Sequence, residues 1–403
     1  MTEAHPAACA PSVVLPPPTA ASADTRSGSH RGISPALLGG FVALNLLIGG
    51  LPLGNEVYLT DLLLVALLVV SLLRRGPAGV LKLLLRCCAV LATMGILVFF
   101  AGGFGAERFL PEFLKTALLL VGTILLWGEI GWPALGRMAR LAPLIALGVT
   151  VFVYASGQGD YYGDEGRFGV PWWGSPNTTA FVIDMCIALW LYSMHQDLCR
   201  RAERIERMLL TSFQLVILSG LVAFLLITGS SGGRLALLVI LARYAGLRLP
   251  GFLLLLPLGA VAFWILGLRV PELAGSGRLL IWQMLLVTQI TASKVHWFFG
   301  FGPGSINLTT WFTARVQSAH NMFIEECYSW GILAPIMMLF AIRRFSLRVR
   351  GAQMPRPQRL LIESVFGAVI AGFLVDTYVM AAQMTWLGVL IFGTGGLIPH
   401  RRR

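Results

Sequence analysis

The sequence predicts an all-α polytopic membrane protein of about twelve transmembrane helices, with a large external loop between helices nine and ten. Three observations predict it. Apolar residues make up 56% of the 403 and charged residues only 12%, against about 25% charged in a soluble domain. Mean hydropathy is +0.76. Runs of roughly 17–25 apolar residues recur, the length that crosses a bilayer as a helix. A β-barrel would show short alternating segments instead, and the sequence has none.

Residues 1–34 are rich in Pro, Ala, Ser and Thr and lack the apolar core of a signal peptide, which predicts a disordered cytoplasmic tail. Residues 35–398 then form a single transmembrane domain, and 399–403 a basic cytoplasmic end. Apolar runs and their breakers place helices near 35–53, 57–73, 84–104, 113–131, 141–156, 177–194, 209–228, 234–247, 250–268, 322–342, 360–379 and 383–398.

Lys and Arg set the orientation. With the N-terminus inside, Arg74, Arg75, Lys82, Arg86, Arg137, Arg140, "HQDLCRRAERIER" (195–207), Arg243, Arg248 and "RRFSLRVRGAQMPRPQR" (343–359) all fall on the cytoplasmic side, as does the closing "RRR". The net charge of +12 is therefore a topology signal rather than a nucleic-acid footprint. "RLLIWQMLLVTQITASK" (278–294) is too short an apolar stretch to span and reads as an interfacial or re-entrant helix. Residues 269–321 become one large external loop and 157–176 a smaller one. The six cysteines show no zinc or disulfide spacing and no His/Asp cluster has ligand spacing, so no metal or cofactor is expected; Asp160, Asp164 and Glu165 read as loop acids.

This topology sorts four polar residues to one external face: Arg167, Arg234, Arg278 and His320. An arginine at a helix end ordinarily snorkels to headgroups. In "GSSGGR", however, Ser231, Gly232 and Gly233 let backbone N–H groups point at one centre, and the helix that follows adds its positive dipole end. With Arg234 beside them, they make a phosphate cradle; a plain Gly-rich turn is the competing reading. In "AHNMFIEE", Asn321 suits an N-cap and Glu325 and Glu326 suit the positive end of the helix. That same end keeps His320 neutral, the state of a general base.

The segments "GRFGVPWWGSPNTTA", "LLITGSSGGRLALLVIL", "GRLLIWQMLL", "GFGPGS" and "SAHNMFIEECYSWGIL" together resemble the O-antigen ligase and polymerase superfamily, integral-membrane transferases of polyprenyl-diphosphate-linked glycans. The resemblance covers about 166 to 335; the first half matches only in hydropathy. It implies a twelve-helix fold with a periplasmic loop between the ninth and tenth helices, in a bacterial inner membrane, with both termini cytoplasmic. It implies that Arg234 and Arg278 hold the diphosphate and that His320 acts on the acceptor hydroxyl. Arg167, Asn321, Trp172, Trp173 and Glu325 are the expected substrate contacts, although "VPWWGSPN" replaces the family's usual shorter turn; the tryptophans suit sugar stacking or an interfacial belt.

The implied donor is a glycan on undecaprenyl diphosphate. The implied acceptor is lipid A-core for a ligase or the growing glycan for a polymerase, with membrane lipids as the surroundings. A secondary transporter or lipid-linked glycan flippase is the alternative from another class, motivated by Asp184 and Asp376 in or near predicted spans.

Overall fold

The computed structural model describes residues 34–54, 57–74, 77–101, 109–126, 130–162, 166–200, 204–246, 278–306, 308–309, 315–316, 321–375 and 398. The helices expected at 250–268 and 383–398, the N-terminal tail and the closing arginines lie outside them. Among the described residues the protein is helical, with three short hairpins. The helices are α1 (Pro35–Ile48), α2 (Leu59–Leu73), α3 (Pro77–Ala101), α4 (Phe109–Leu126), α5 (Trp132–Ala155), α6 (Pro176–Arg200), α7 (Arg204–Ile227) and α8 (Ser231–Tyr244). After the undescribed stretch come α9 (Arg278–Thr291), α10 (Lys294–Phe299), α11 (Met322–Trp330), α12 (Leu333–Gly351) and α13 (Arg356–Val375).

Among the described residues, four helices are long and apolar enough to cross a membrane: Pro77–Phe100, Trp132–Ala155, Pro176–Asp197 and Met208–Ile227. α1 and α2 are shorter apolar helices, and α8 and α9, each of 14 residues, reach only about 21 Å. The helical, membrane-compatible character is as expected; of the twelve spans expected, four have candidates among the described helices.

Local chemistry explains the helix starts. Ser34 caps α1 by accepting from Leu37 N at 3.2 Å, with Pro35 in the first turn where a missing N–H costs nothing. Gly131 and Pro133 start α5 nine residues before the expected boundary at 141, so Arg137 and Arg140 are helical rather than looped. Likewise, α6 runs through to Arg200 and α7 begins at Arg204, and α12 runs to Gly351. Arg and Glu are good helix formers, so helices continue past the end of their apolar stretch. The longest correction concerns the helix expected at 322–342. It is two helices, broken at Gly331, whose φ of +80° ends α11.

The main core is built by α1, α5, α6, α7, α8 and α13, with α6 at its centre. Of the apolar window of α6, 89% is buried, against 22% for that of α3 and 17% for that of α7. α6 therefore meets protein on nearly every side, while α3 and α7 turn Leu85, Phe99, Leu209 and Val216 outward, as helices facing lipid do. α8 packs most closely on α13, and both pack on α6.

Two polar ties lock this bundle. Arg140 on α5 donates to Asp197 on α6 at 3.1 Å, and Gln214 on α7 donates to the other Asp197 oxygen at 3.1 Å. Arg243 on α8 pairs with Glu363 on α13.

Candidate functional site

Three expected site residues, Arg167, Ser231 and Arg234, meet at one end of the bundle. The chain leaving α5 forms a hairpin, β3 (Asp160–Tyr162) against β4 (Arg167–Gly169), following a shorter hairpin of β1 (Pro52–Gly54) and β2 (Val57–Tyr58) after α1. Phe168 fixes β4. Its ring is wholly buried, edge-on to Tyr154 at 5.7 Å and beside Phe224 of α7 at 6.3 Å. The end of the hairpin is tied to α6, because Val170 N donates to Thr179 Oγ1 at 2.9 Å. Arg167 is thereby laid across the turn that precedes α8. A β-carbon placed on Gly229 would stand 2.7 Å from Arg167 Cγ and 2.9 Å from its Cδ, so the arginine stem rests on the bare glycine. Gly229 has φ +64°, a conformation that glycine takes without penalty.

The first turn of α8 differs from the expected cradle in which groups face outward. Ser230 is the N-cap: its Oγ accepts from Gly233 N at 3.1 Å, and its carbonyl accepts from Arg234 N at 3.1 Å. The amides of Gly233 and Arg234 are thus committed within the helix. Ser231 and Gly232 carry the first-turn amides that have no intrahelical acceptor. Ser231 and Arg234 are exposed, while Gly232 and Gly233 are buried. Arg167 and Arg234 therefore border one helix N-terminus, which carries about half a positive charge of its own.

Gly233 is needed for packing. A β-carbon there would lie 2.6 Å from Ala180 Cβ on α6, so α6 and α8 cross glycine on alanine. Gly233→Ala should overpack this crossing and cost about 1–3 kcal/mol. Adding Ala180→Gly should recover most of that loss, because the displaced methyl then has somewhere to go. Thermal unfolding of the detergent-solubilised single and double variants checks this; equal Tm values for the two would refute the crossing as the cause.

Asp184 lies one turn beyond Ala180. Its carboxyl is fully buried, and neither oxygen has a hydrogen-bond partner. Sequence reading noted this acid in an apolar run but gave it no place in the site.

A second convergence joins α9, α10 and α11. Asn321 is the N-cap of α11, as expected: its Oδ1 accepts from Ile324 N at 3.1 Å, and the residue is 1% exposed. Glu325 and Glu326 follow in the first turns, both half-buried. α9 begins at Arg278, and its Ile281 and Leu285 share an apolar cluster with Ile306 and Tyr328, against which Ile324 packs. The "GFGPGS" stretch reaches the same helix. Phe301 N donates to Tyr328 O at 2.9 Å and Gly302 N to Ser329 O at 3.0 Å, while the Phe301 ring stacks between His296 and Tyr328, 4.6 Å from each. A third small hairpin, β5 (Leu308–Thr309) with β6 (Arg315–Val316), follows. His320 and the side chain of Arg278 lie outside the described residues, as do Asp164 and Glu165. α11 packs on α13, the same helix that flanks α8.

The two tryptophans have a role that sequence reading missed. The indole N–H groups of Trp172 and Trp173 both donate to Leu46 O at the end of α1, at 3.0 and 2.9 Å, one to each lone pair. Trp173 is 3% exposed and belongs to the core; Trp172 is half-buried against it. Set against models of known protein families and against curated proteins, the sequence matches none.

Proposed function

We propose that the chain is a ligase-type membrane glycosyltransferase. It moves a glycan from undecaprenyl diphosphate to a sugar hydroxyl on lipid A-core, at the periplasmic face of a bacterial inner membrane. The observation that supports this reading is the Arg167 stem lying on Gly229, the residue before the Ser230 cap of α8, whose first turn also carries the exposed Arg234. A helix N-terminus flanked by arginines suits a phosphate group, and Arg adds planar, bidentate donors that stay charged. Arg278 at the head of α9 and His320 just before Asn321 complete the assignment.

In this mechanism the acceptor oxygen forms a bond to the anomeric carbon while the bond from that carbon to the diphosphate oxygen breaks. Configuration inverts. His320 takes the proton from the attacking hydroxyl, and the diphosphate departs with the bonding pair. A diphosphate is a stable anion, so it leaves without a general acid. The arginines and the amides of Ser231 and Gly232 neutralise the charge that grows on it, usually the largest catalytic term at such sites.

His320→Ala should lower transfer of a labelled lipid-linked glycan by about 10²–10⁴-fold, and Arg234→Ala by about 10²–10³-fold, with both variants still inserted in the membrane. Full activity in either variant would remove the assignment. Supplying labelled repeats with and without lipid A-core separates the ligase from a polymerase that extends the glycan on its own carrier.

One observation favours a reading of another class. Asp184 sits unpaired inside the span of α6, and acids so placed mark transport paths. Tracer transport in proteoliposomes that survives His320→Ala would favour a transporter or flippase.

A further inference from the structure

We propose that Asp184 is the binding carboxylate of a site for one small monovalent cation, H⁺ or Na⁺, where α6 crosses α8. This concerns the carboxyl alone and does not rest on glycan transfer.

The charge around Asp184 does not balance. The side chain has no exposed surface, and neither oxygen accepts a hydrogen bond. A carboxylate so placed needs a counter-charge, because desolvation outweighs what a helix end returns. The guanidiniums of the neighbouring helices are engaged elsewhere: Arg140 with Asp197, and Arg243 with Glu363. Arg234 points to the exterior, and the Arg167 stem lies over Gly229, one turn above. No described cation therefore pairs with Asp184.

Small oxygen donors do gather there. Asp184 Oδ2 and Ser230 Oγ each lie 3.5 Å from the point where a β-carbon on Gly233 would stand. Ala180 Cβ closes on that same point to 2.6 Å, so both oxygens border a tight glycine-on-alanine crossing. Ser230 Oγ accepts from Gly233 N and keeps a second lone pair.

The setting selects charge +1. Divalent ions are usually held by several carboxylates, whereas a single carboxylate balances one positive charge. Among the described residues no three His, Cys, Asp or Glu side chains come together. One carboxyl with one hydroxyl in its vicinity suits a proton held on the carboxyl, or a dehydrated Na⁺.

The test uses the full-length protein in membrane vesicles. Dicyclohexylcarbodiimide couples to protonated carboxyls in apolar surroundings, and peptide mapping by mass locates the adduct. The expected result is an adduct at Asp184 that is absent in Asp184→Asn. Slowing of the labelling several-fold by NaCl, with choline chloride as control, identifies Na⁺ as the occupant; labelling indifferent to NaCl identifies the proton. A second measurement covers tight Na⁺ occupancy: NaCl should then raise the Tm of the wild type but not of Asp184→Asn. No adduct at Asp184, together with a wild-type Tm indifferent to NaCl, would overturn the proposal. Neither readout depends on transfer activity, so a failure here leaves the glycosyltransferase reading standing, and the reverse also holds.

Discussion

Gly331→Ala should cost about 3–5 kcal/mol, from two additive sources. The first is backbone conformation. Gly331 has φ +80° and ψ 176°, a region that essentially only glycine occupies. The second is a collision that no rotamer relieves. A β-carbon there would stand 1.9 Å from the carbonyl oxygen of Phe298 and 2.7 Å from Phe299 N, which are main-chain atoms at the end of α10. The contact is reciprocal, since a β-carbon on Gly300 would lie 2.4 Å from the Ser329 carbonyl. Two segments thus cross glycine beside glycine, stitched by Ile332 N donating to Trp297 O at 3.1 Å and Phe301 N to Tyr328 O at 2.9 Å. Forcing them apart breaks these bonds and opens the His296–Phe301–Tyr328 stack. Gly351→Ala is the control: nothing lies within 4 Å of its β-carbon position, and it should change Tm little. A Gly331→Ala protein that melts with the wild type would mean that the crossing does not hold α11 in place.

The break at Gly331 also shows where sequence patterning reaches its limit. Apart from Glu325, Glu326 and Ser329, the stretch from Met322 to Met338 is apolar, so hydropathy reads one helix; only the close approach of Phe298 reveals why a glycine stands in its middle. Helix starts were more legible, because Ser34 before Pro35 and Asn321 before Met322 act through local hydrogen bonds. Arg137 and Arg140 misled for the opposite reason: charge marks where apolar surface ends, and α5 extends beyond it.

At the site, the Gly-Ser turn and its following helix were legible as a helix N-terminus; the residue that caps it, Ser230, was not singled out. What could not be read was pairing across distance. Nothing in the pattern links Arg167 to Gly229, sixty-two positions apart, or Ala180 to Gly233. Trp172 and Trp173 carried two plausible roles in sequence, and their shared acceptor at Leu46 belongs to neither.

That shared acceptor underlies the other large effect, expected for Gly50→Ala. A β-carbon on Gly50 would stand 1.6 Å from Trp172 O and 2.4 Å from its carbonyl carbon, so the Trp172 backbone lies directly on the glycine. The substitution must lift the Trp172–Trp173 turn off the end of α1. Both indole hydrogen bonds to Leu46 O then stretch, each a loss of about 1 kcal/mol, and Trp173 leaves a packed core, which for a large aromatic costs about 3 kcal/mol or more. Trp173→Phe removes one N–H while keeping most of the ring, and should cost much less, about 1–2 kcal/mol. Gly148→Ala within α5, where nothing lies within 4 Å, should be neutral or slightly stabilising. The consequence extends to the site. The Trp172–Trp173 turn is the continuation of β4, so releasing it frees Arg167 from Gly229. Gly50→Ala should therefore lower Tm, redshift tryptophan emission and weaken transfer together, whereas Arg167→Ala should weaken transfer with little change in Tm. Loss of stability in Gly50→Ala with transfer per folded molecule unchanged would show that the α1 clamp does not position Arg167.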